Sequence, residues 1–350
     1  MHQTYNTFAM YLNFTDATNT QNNTASSELH INTYGTRLRV KDGMFSVENQ
    51  NNKATLPPRN ISTIVLQKGM SLSVDVVFLA MEYEIPIFFQ NRAGDPLARV
   101  WSNAYGSISS IRLQQANWAS NEKGFIWSKN TIKQKMENQL NLIINSCYFD
   151  YDHKRKIAIY EDRIASLLTH LNTLIFNPDL WRAQLRGIEG KAANFYFEIL
   201  NLCIPENYRF EHRSQHPAFD QFNAVLNYLY GILYGKIESA CIKAGIDPTL
   251  PLFHASQHKK PSFVYDFIEP YRTWADTVAL AIFNESEITK TLFEKDNGAV
   301  WLSGSGRKLC IEQFSLYFEE LCTLNNRKRS RNTHIQEDAY RFATLLKESL

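Results

Sequence analysis

Arg37-Leu38-Arg39-Val40-Lys41-Asp42-Gly43-Met44-Phe45-Ser46-Val47 alternates charged or polar with apolar residues on both sides of an Asp-Gly pair. Alternation of period two marks strands with one buried face, and Asp-Gly supplies the positive φ of a tight two-residue turn. The segment therefore predicts a β-hairpin. Working outward, Ile61 to Leu66, Ile85 to Phe89 and Leu97 to Trp101 read as further strands. Ser71 is placed to cap a short helix over Leu72 to Tyr83. Residues 29–102 form a small β-rich domain, sandwich-like with one helix. Ahead of it, residues 1–28 are rich in Asn, Thr and Ser and read as a flexible segment.

After Ser107 the period changes. Ile132, Met136, Leu140, Ile143, Ile144 and Cys147 fall on one helical face, and Ile157, Ile164, Leu167, Leu168, Leu171 and Leu174 repeat the pattern. Phe222 to Ala244 is a long apolar helix that stops at Gly245 with Pro248 beyond it. Ser262 to Phe283 and Ile311 to Cys322 are further helices. The fold class is α+β, multidomain: the small β-rich domain, a join over Arg92 to Tyr105, and a larger all-helical domain over residues 103–350 that ends in the basic run Arg327-Lys328-Arg329-Ser330-Arg331. That run reads either as a nucleic-acid patch or as a solvated terminus.

The chain of 350 residues is 44% hydrophobic, 21% charged and 13% aromatic, a composition that can bury a large core, and its net charge is only +2. A nucleic-acid surface on such a chain has to be gathered on one face. Cys147, Cys203, Cys241, Cys310 and Cys322 contain no CxxC pair, which argues against a zinc site of the usual kind; they read as reduced core thiols of a cytoplasmic protein. No secretory signal is visible, and no apolar run reaches membrane-spanning length.

Three segments carry candidate chemistry. In Arg186-Gly187-Ile188-Glu189-Gly190-Lys191-Ala192-Ala193, small residues surround one carboxylate, so a neighbouring helix or a phosphate backbone can approach it; the plainer reading is an acid at a helix start, favoured by the helix dipole. Leu252-Phe253-His254-Ala255-Ser256-Gln257-His258-Lys259-Lys260 is a loop holding two histidines, without the HExxH pattern; the plainer reading is a surface histidine. In Ser262-Phe263-Val264-Tyr265-Asp266-Phe267-Ile268-Glu269-Pro270-Tyr271-Arg272, two acids share a helical face. Pro270 bends that helix, and Arg272 can form an ordinary salt bridge with Glu269. Oxygen-rich ligands with one imidazole suit Mg²⁺ or Mn²⁺, but spacing alone does not bring the segments together.

These three motifs, in this order, resemble the CRISPR-associated integrase family of spacer acquisition ("Cas-one"), from about residue 30 to 322. Thr36 to Gly43 and Phe222 to Gly231 contribute to the likeness. The resemblance implies that Glu189, His254 and Glu269 bind the metal and carry catalysis, with Asp266 as a supporting acid. It implies transesterification: a DNA 3′-hydroxyl attacks a phosphodiester at the edge of a CRISPR repeat, and nicking of branched DNA uses the same site. It also implies a homodimer, a small partner ("Cas-two"), double-stranded prespacer DNA and CRISPR repeat DNA. Some relatives are fused to a reverse transcriptase. The chain departs from the family pattern at Leu250 to Phe253, where many relatives carry a glycine, and at Thr273, where many carry proline. Phosphate contacts are expected from Arg182, Arg186, Lys191, Lys259, Lys260 and Arg272. Two other readings stay open: a non-catalytic DNA-bridging subunit, and a branched-DNA nuclease of repair.

Overall fold

The computed structural model describes residues 10–11, 27–50, 52–91, 96–100, 109–146, 151–256, 260–285 and 288–349. The N-terminal region runs β1 (Met10–Tyr11), β2 (Ser27–Ile31), β3 (Arg37–Lys41), β4 (Met44–Glu48), β5 (Lys53–Leu56), β6 (Ile61–Leu66), β7 (Ser71–Leu72), α1 (Val74–Glu82), β8 (Ile87–Gln90) and β9 (Pro96–Val100). The hairpin forms as read. β3 and β4 pair antiparallel with Lys41 opposite Met44, and the turn residues Asp42 and Gly43 sit at φ 52° and 71°, the left-handed pair that a type I′ turn needs. Its apolar set, Leu38, Phe45 and Val47, is buried.

Two sheets result. One has the order β5-β4-β3-β7, the other β1-β2-β6-β8-β9. Leu29, Ile64 and Ile87 from the second sheet join Leu38, Phe45 and Val47 from the first, with Val76 and Ala80 of α1, in one apolar core. The expected helix start is corrected. Ser71 and Leu72 pair parallel to Arg37 and Leu38, so a sheet edge captures that backbone and α1 begins only at Val74. Of the expected flexible segment 1–28, Met10–Tyr11 pairs with β2, which starts at Ser27; residues 1–9 and 12–26 lie outside the described residues. Of the expected join, residues 92–95 and 101–105 lie outside the described residues, and 96–100 is a sheet strand.

The larger region is helical: α2 (Ser109–Trp118), α3 (Glu122–Ser146), α4 (Tyr151–Thr173), α5 (Trp181–Leu200), α6 (Gln221–Lys243), α7 (Ser262–Phe267), α8 (Arg272–Glu285), α9 (Gly304–Glu319) and α10 (Arg331–Lys347). α6 is capped at Asp220, whose side chain accepts from the Asn223 N–H. It ends at Gly245, φ 80°, where Gly245 and Ile246 donate to the carbonyls of Ile242 and Cys241, a Schellman closure. Buried residues cover α6 on all sides, so it is the central beam.

Two hairpins interrupt the helical reading, β10 (Phe293–Asp296) with β11 (Ala299–Leu302), and β12 (Leu321–Leu324) with β13 (Arg327–Ser330). Their strands are too short to show a period, though Asn297-Gly298 is itself a turn signal. Cys322 therefore belongs to β12, beyond the end of α9. The basic run 327–331 is strand and helix start, with Arg327 and Arg329 paired to Glu337. Cys241, Cys310 and Cys322 are free. Cys203 is disulfide-bonded, which corrects the expectation of five reduced thiols: pairing depends on Cβ proximity in space, which sequence spacing does not show. Cys147 lies outside the described residues. Among the described residues, no helix is long and apolar enough to cross a membrane.

Two ion pairs tie the five-stranded sheet to α6. Lys236 Nζ lies 2.7 Å from Glu28 Oε1, and Arg99 pairs with Glu238. Burial alone would raise the Glu28 carboxyl; Lys236 and His30 hold it well below the usual carboxylate range. A carboxylate depressed in the fold stabilises it at neutral pH, and that stability is lost as acid titrates the group. We expect Lys236→Met to cost about 3 kcal/mol in urea unfolding, because it strands a buried charge. Glu28→Gln in the same chain should restore most of the loss and blunt the acid sensitivity that sets in below about pH 5. A loss no larger in the single variant than in the pair would refute the assigned role.

Candidate active site

Glu189 lies in the middle of α5, so the helix-start reading is corrected. A Cβ added at Gly187 or Gly190 would meet no atom within 4 Å. The small residues beside Glu189 therefore leave open space rather than receive a second helix.

The expected helix Ser262–Phe283 is broken in two. α7 ends at Phe267, Glu269–Tyr271 makes a 3-10 turn, and α8 starts at Arg272. Pro270 has no N–H to give the carbonyl of Asp266, which stops the α-helical ladder. The carbonyl of Pro270 accepts from Asn138 Nδ2 at 2.7 Å. The break separates the tasks of the two acids.

Asp266 faces the histidine loop and is 1% exposed. Its Oδ2 accepts from the N–H groups of Leu252 and Phe253 at 2.6 and 3.0 Å. Its Oδ1 accepts from the His254 N–H at 2.9 Å and from the ring Nδ1 at 2.7 Å. One carboxylate thus fills its acceptor positions on three successive residues. With Nδ1 engaged, Nε2 is the ring nitrogen left for a metal or substrate, the usual division of an imidazole between a carboxylate and a metal. Gln115 of α2 pins the loop further back, donating to the carbonyls of Asp247 and Leu250 and accepting from the Asp247 N–H.

Glu269 points elsewhere and is 2% exposed. Arg272 grips it with two bonds of 2.9 and 2.8 Å. Lys135 of α3 brings its Nζ to 2.6 Å from Glu269 Oε2 and also touches Glu189 Oε1. Burial opposes the charge on Glu269, but Arg272 and Lys135, with a smaller effect of His254, hold it well below the usual range. Burial likewise opposes the Lys135 ammonium, and Glu269 and Glu189 outweigh it and raise its pKa. Behind them, Arg272 lies over the rings of Tyr230 and Tyr234. Tyr230 and Tyr196 donate to the buried Asp276 at 2.7 and 2.6 Å.

The structure thus brings Glu189 and Glu269 onto one cation and holds His254 through Asp266. Among the described residues, no three His, Cys, Asp or Glu side chains converge tightly enough to enclose one ion. The fit is chemical: two carboxylates from separate elements already share a positive partner, and carboxylates with an imidazole are the donors that Mg²⁺ or Mn²⁺ accepts.

Of the expected phosphate contacts, Arg186, Lys191 and Lys260 are exposed, and Lys259, with the second histidine His258, lies outside the described residues. Arg182 and Arg272 have internal partners. Arg182 donates to the carbonyls of Leu252 and Ala119 and so clamps the histidine loop, while Arg272 is committed to Glu269. Lys135 and Asn138 were not singled out by the motifs. A lysine within the apolar repeat Ile132, Met136, Leu140 was the available signal, since buried lysines are rare unless paired.

Residues 29–315 match the family model described as CRISPR associated protein Cas1. The chain belongs to the Cas1 family. A CRISPR-associated endonuclease Cas1 of Rhodospirillum rubrum is 29% identical over 295 residues, 81% of this chain and 83% of the relative. One of Moorella thermoacetica is 26% identical over 286 residues, 80% and 82% of the two chains. In structure, a casposase bound to an integration product superposes with a TM-score of 0.78 at 17% identity, covering 92% of this chain and 91% of the casposase. A Cas1 protein of Thermotoga maritima gives 0.75 at 18% identity, over 91% and 97%. The Cas1 fold, a strand-rich N-terminal region before a helical one, is thereby shown, and with it membership of an endonuclease and integrase family.

The Asp266 network yields a direct prediction. Asp266→Asn keeps the shape but turns an amide toward N–H donors, so stability in urea should fall by about 3 kcal/mol. A change under about 0.5 kcal/mol, the scale of a neutral surface substitution, would show that the loop does not depend on this carboxylate.

Proposed function

We propose that this protein is the metal-dependent DNA integrase of CRISPR adaptation. Glu189, His254 and Glu269 would hold Mg²⁺ or Mn²⁺, and the observation that carries this reading is the meeting of Glu189 and Glu269 on a single cation. When bound, such an ion polarises a phosphoryl oxygen and orients the attacking hydroxyl. In the reaction a P–O bond forms to the incoming DNA 3′-oxygen and one breaks at the leaving oxygen, so the number of phosphodiesters is conserved.

The chain's own residues prepare for this. Asp266 fixes the imidazole of His254, Arg272 fixes the carboxylate plane of Glu269, and Arg182 and Gln115 hold the loop backbone, so little reorganisation remains for the reaction itself. We place the DNA backbone at the open space of Gly190, the next position along the helix from Glu189. Phosphate contacts are assigned to the exposed Arg186, Lys191 and Lys260.

The partners follow from the same family. We propose a homodimer that works with the small protein Cas2 on prespacer and CRISPR repeat DNA in the prokaryotic cytoplasm. Support comes from a Cas6-RT-Cas1–Cas2 complex, in which the matching chain superposes with a TM-score of 0.78 at 19% identity, over 94% of this chain and 36% of that one. That neighbour also keeps a reverse-transcriptase fusion or partner in view. The casposase with its integration product supports strand joining, and the relatives' name of endonuclease supports nicking by the same site.

A strand-transfer assay with Cas2, a repeat-bearing plasmid and Mn²⁺ tests this. Glu189→Ala should lose roughly a hundredfold or more of product while the protein stays folded. Unchanged transfer overturns the mechanism, and a hydrolysed product without joined ends favours the repair nuclease. Gly190→Ala should gain about 1 kcal/mol of helix stability and yet lose strand transfer, because its methyl enters the DNA-facing space. Full activity in that variant would move the DNA path away from this face.

A further inference from the structure

Lys135 is 4% exposed as a residue, and its ammonium sits between two acids that come from different elements. Glu269 keeps a second cation, Arg272, on both of its oxygens, so it does not depend on Lys135 for neutralisation. Glu189 has no other ion-pair partner among those seen in the described residues. The three groups are unequal in exposure: the Glu189 side chain is 21% exposed, against 5% for Lys135 and 1% for Glu269. The way out of the cluster is therefore past Glu189.

We infer that Lys135 is the resident counter-cation of the metal-free site, and that a divalent ion entering between Glu189 and Glu269 displaces its ammonium toward solvent. The inference rests on the metal reading above. Lys135 and Arg272 already balance the two carboxylates, and a divalent ion added beside them would meet strong repulsion in a poorly solvated setting. Emptying the site of metal, conversely, would leave adjacent carboxylates facing one another, which Lys135 prevents. The lysine thus keeps the apo site assembled and sets a threshold that the metal must exceed. Its role is to position the carboxylates and to compete for them.

The test uses the full chain and Mn²⁺ alone. Lys135→Met should bind Mn²⁺ about tenfold more tightly in calorimetry, the scale of coupling between two competing ligands. Its melting temperature should fall in EDTA and recover with Mn²⁺ by more than that of the unmodified protein. Lys135→Arg, which keeps the positive charge, should show no gain in affinity. Equal or weaker binding by Lys135→Met overturns the inference while leaving the metal reading intact; absence of Mn²⁺ binding in every chain overturns both. A second measurement needs no variant. Amine acylation followed by peptide mass spectrometry should find Lys135 protected in EDTA and several-fold more reactive with Mn²⁺, with Lys236 unchanged as an internal reference. Protection of Lys135 unaffected by Mn²⁺ overturns the displacement.

Discussion

A carboxylate at 2% exposure cannot remain ionised without close positive partners, and much of the catalytic region is arranged around supplying them to Glu269. Arg272 provides the bidentate grip and Lys135 the bridge to Glu189. Arg272 needs support of its own, since a guanidinium this deep must be packed as well as paired. It lies over Tyr230 and Tyr234 of α6, and Tyr230 is fixed by Asp276. One buried acid therefore ties together α3, α5, α6 and α8. A change in the placement of any of them alters the field at Glu269.

The two acids of the 266–272 segment show what a helical spacing conceals. Three residues apart on a continuous helix, they would face the same way. Pro270 breaks the ladder between them and lets each serve a different neighbour: Asp266 gathers the backbone of Leu252 to His254, and Glu269 gathers Lys135 and Arg272. The separation has a chemical use. A carboxylate saturated by four donors is a firm support, whereas in the metal reading proposed above one held at its edges by cations would exchange a partner for the ion.

Much of this was legible in the residues. Asp42-Gly43 between alternating strands predicted the hairpin and its tight turn, and Gly245 marked the end of α6, because in both places only a few residue types tolerate the required φ. The ligand candidates were legible only as separate segments, and their order raised the family resemblance. Their assembly was not legible, since it depends on Lys135 and on Asn138, whose side chains reach across from a helix more than fifty residues away from either acid. The hairpins after α8 were missed because four-residue strands show no period. Ser71 was misjudged because capping chemistry competed with a sheet edge, and the edge won. The internal partners of Arg182 and Arg272 were not legible either, because charge is visible in a sequence and the group it pairs with is not.

α6 joins the two regions physically. Within a few turns it presents Tyr230 and Tyr234 under Arg272, and Lys236 and Glu238 to the five-stranded N-terminal sheet. The ammonium of Lys236 also lies over the rings of Phe314 and Phe318, so α9 is held on the same helix. A helix buried on every side does not bend at little cost, because any shift opens voids around it. The orientation of the β-rich region and the seating of Arg272 are thus set on one rigid element. This explains how a small strand-rich region without a ligand of its own contributes to the site: its ion pairs fix the helix from which the arginine behind Glu269 is supported.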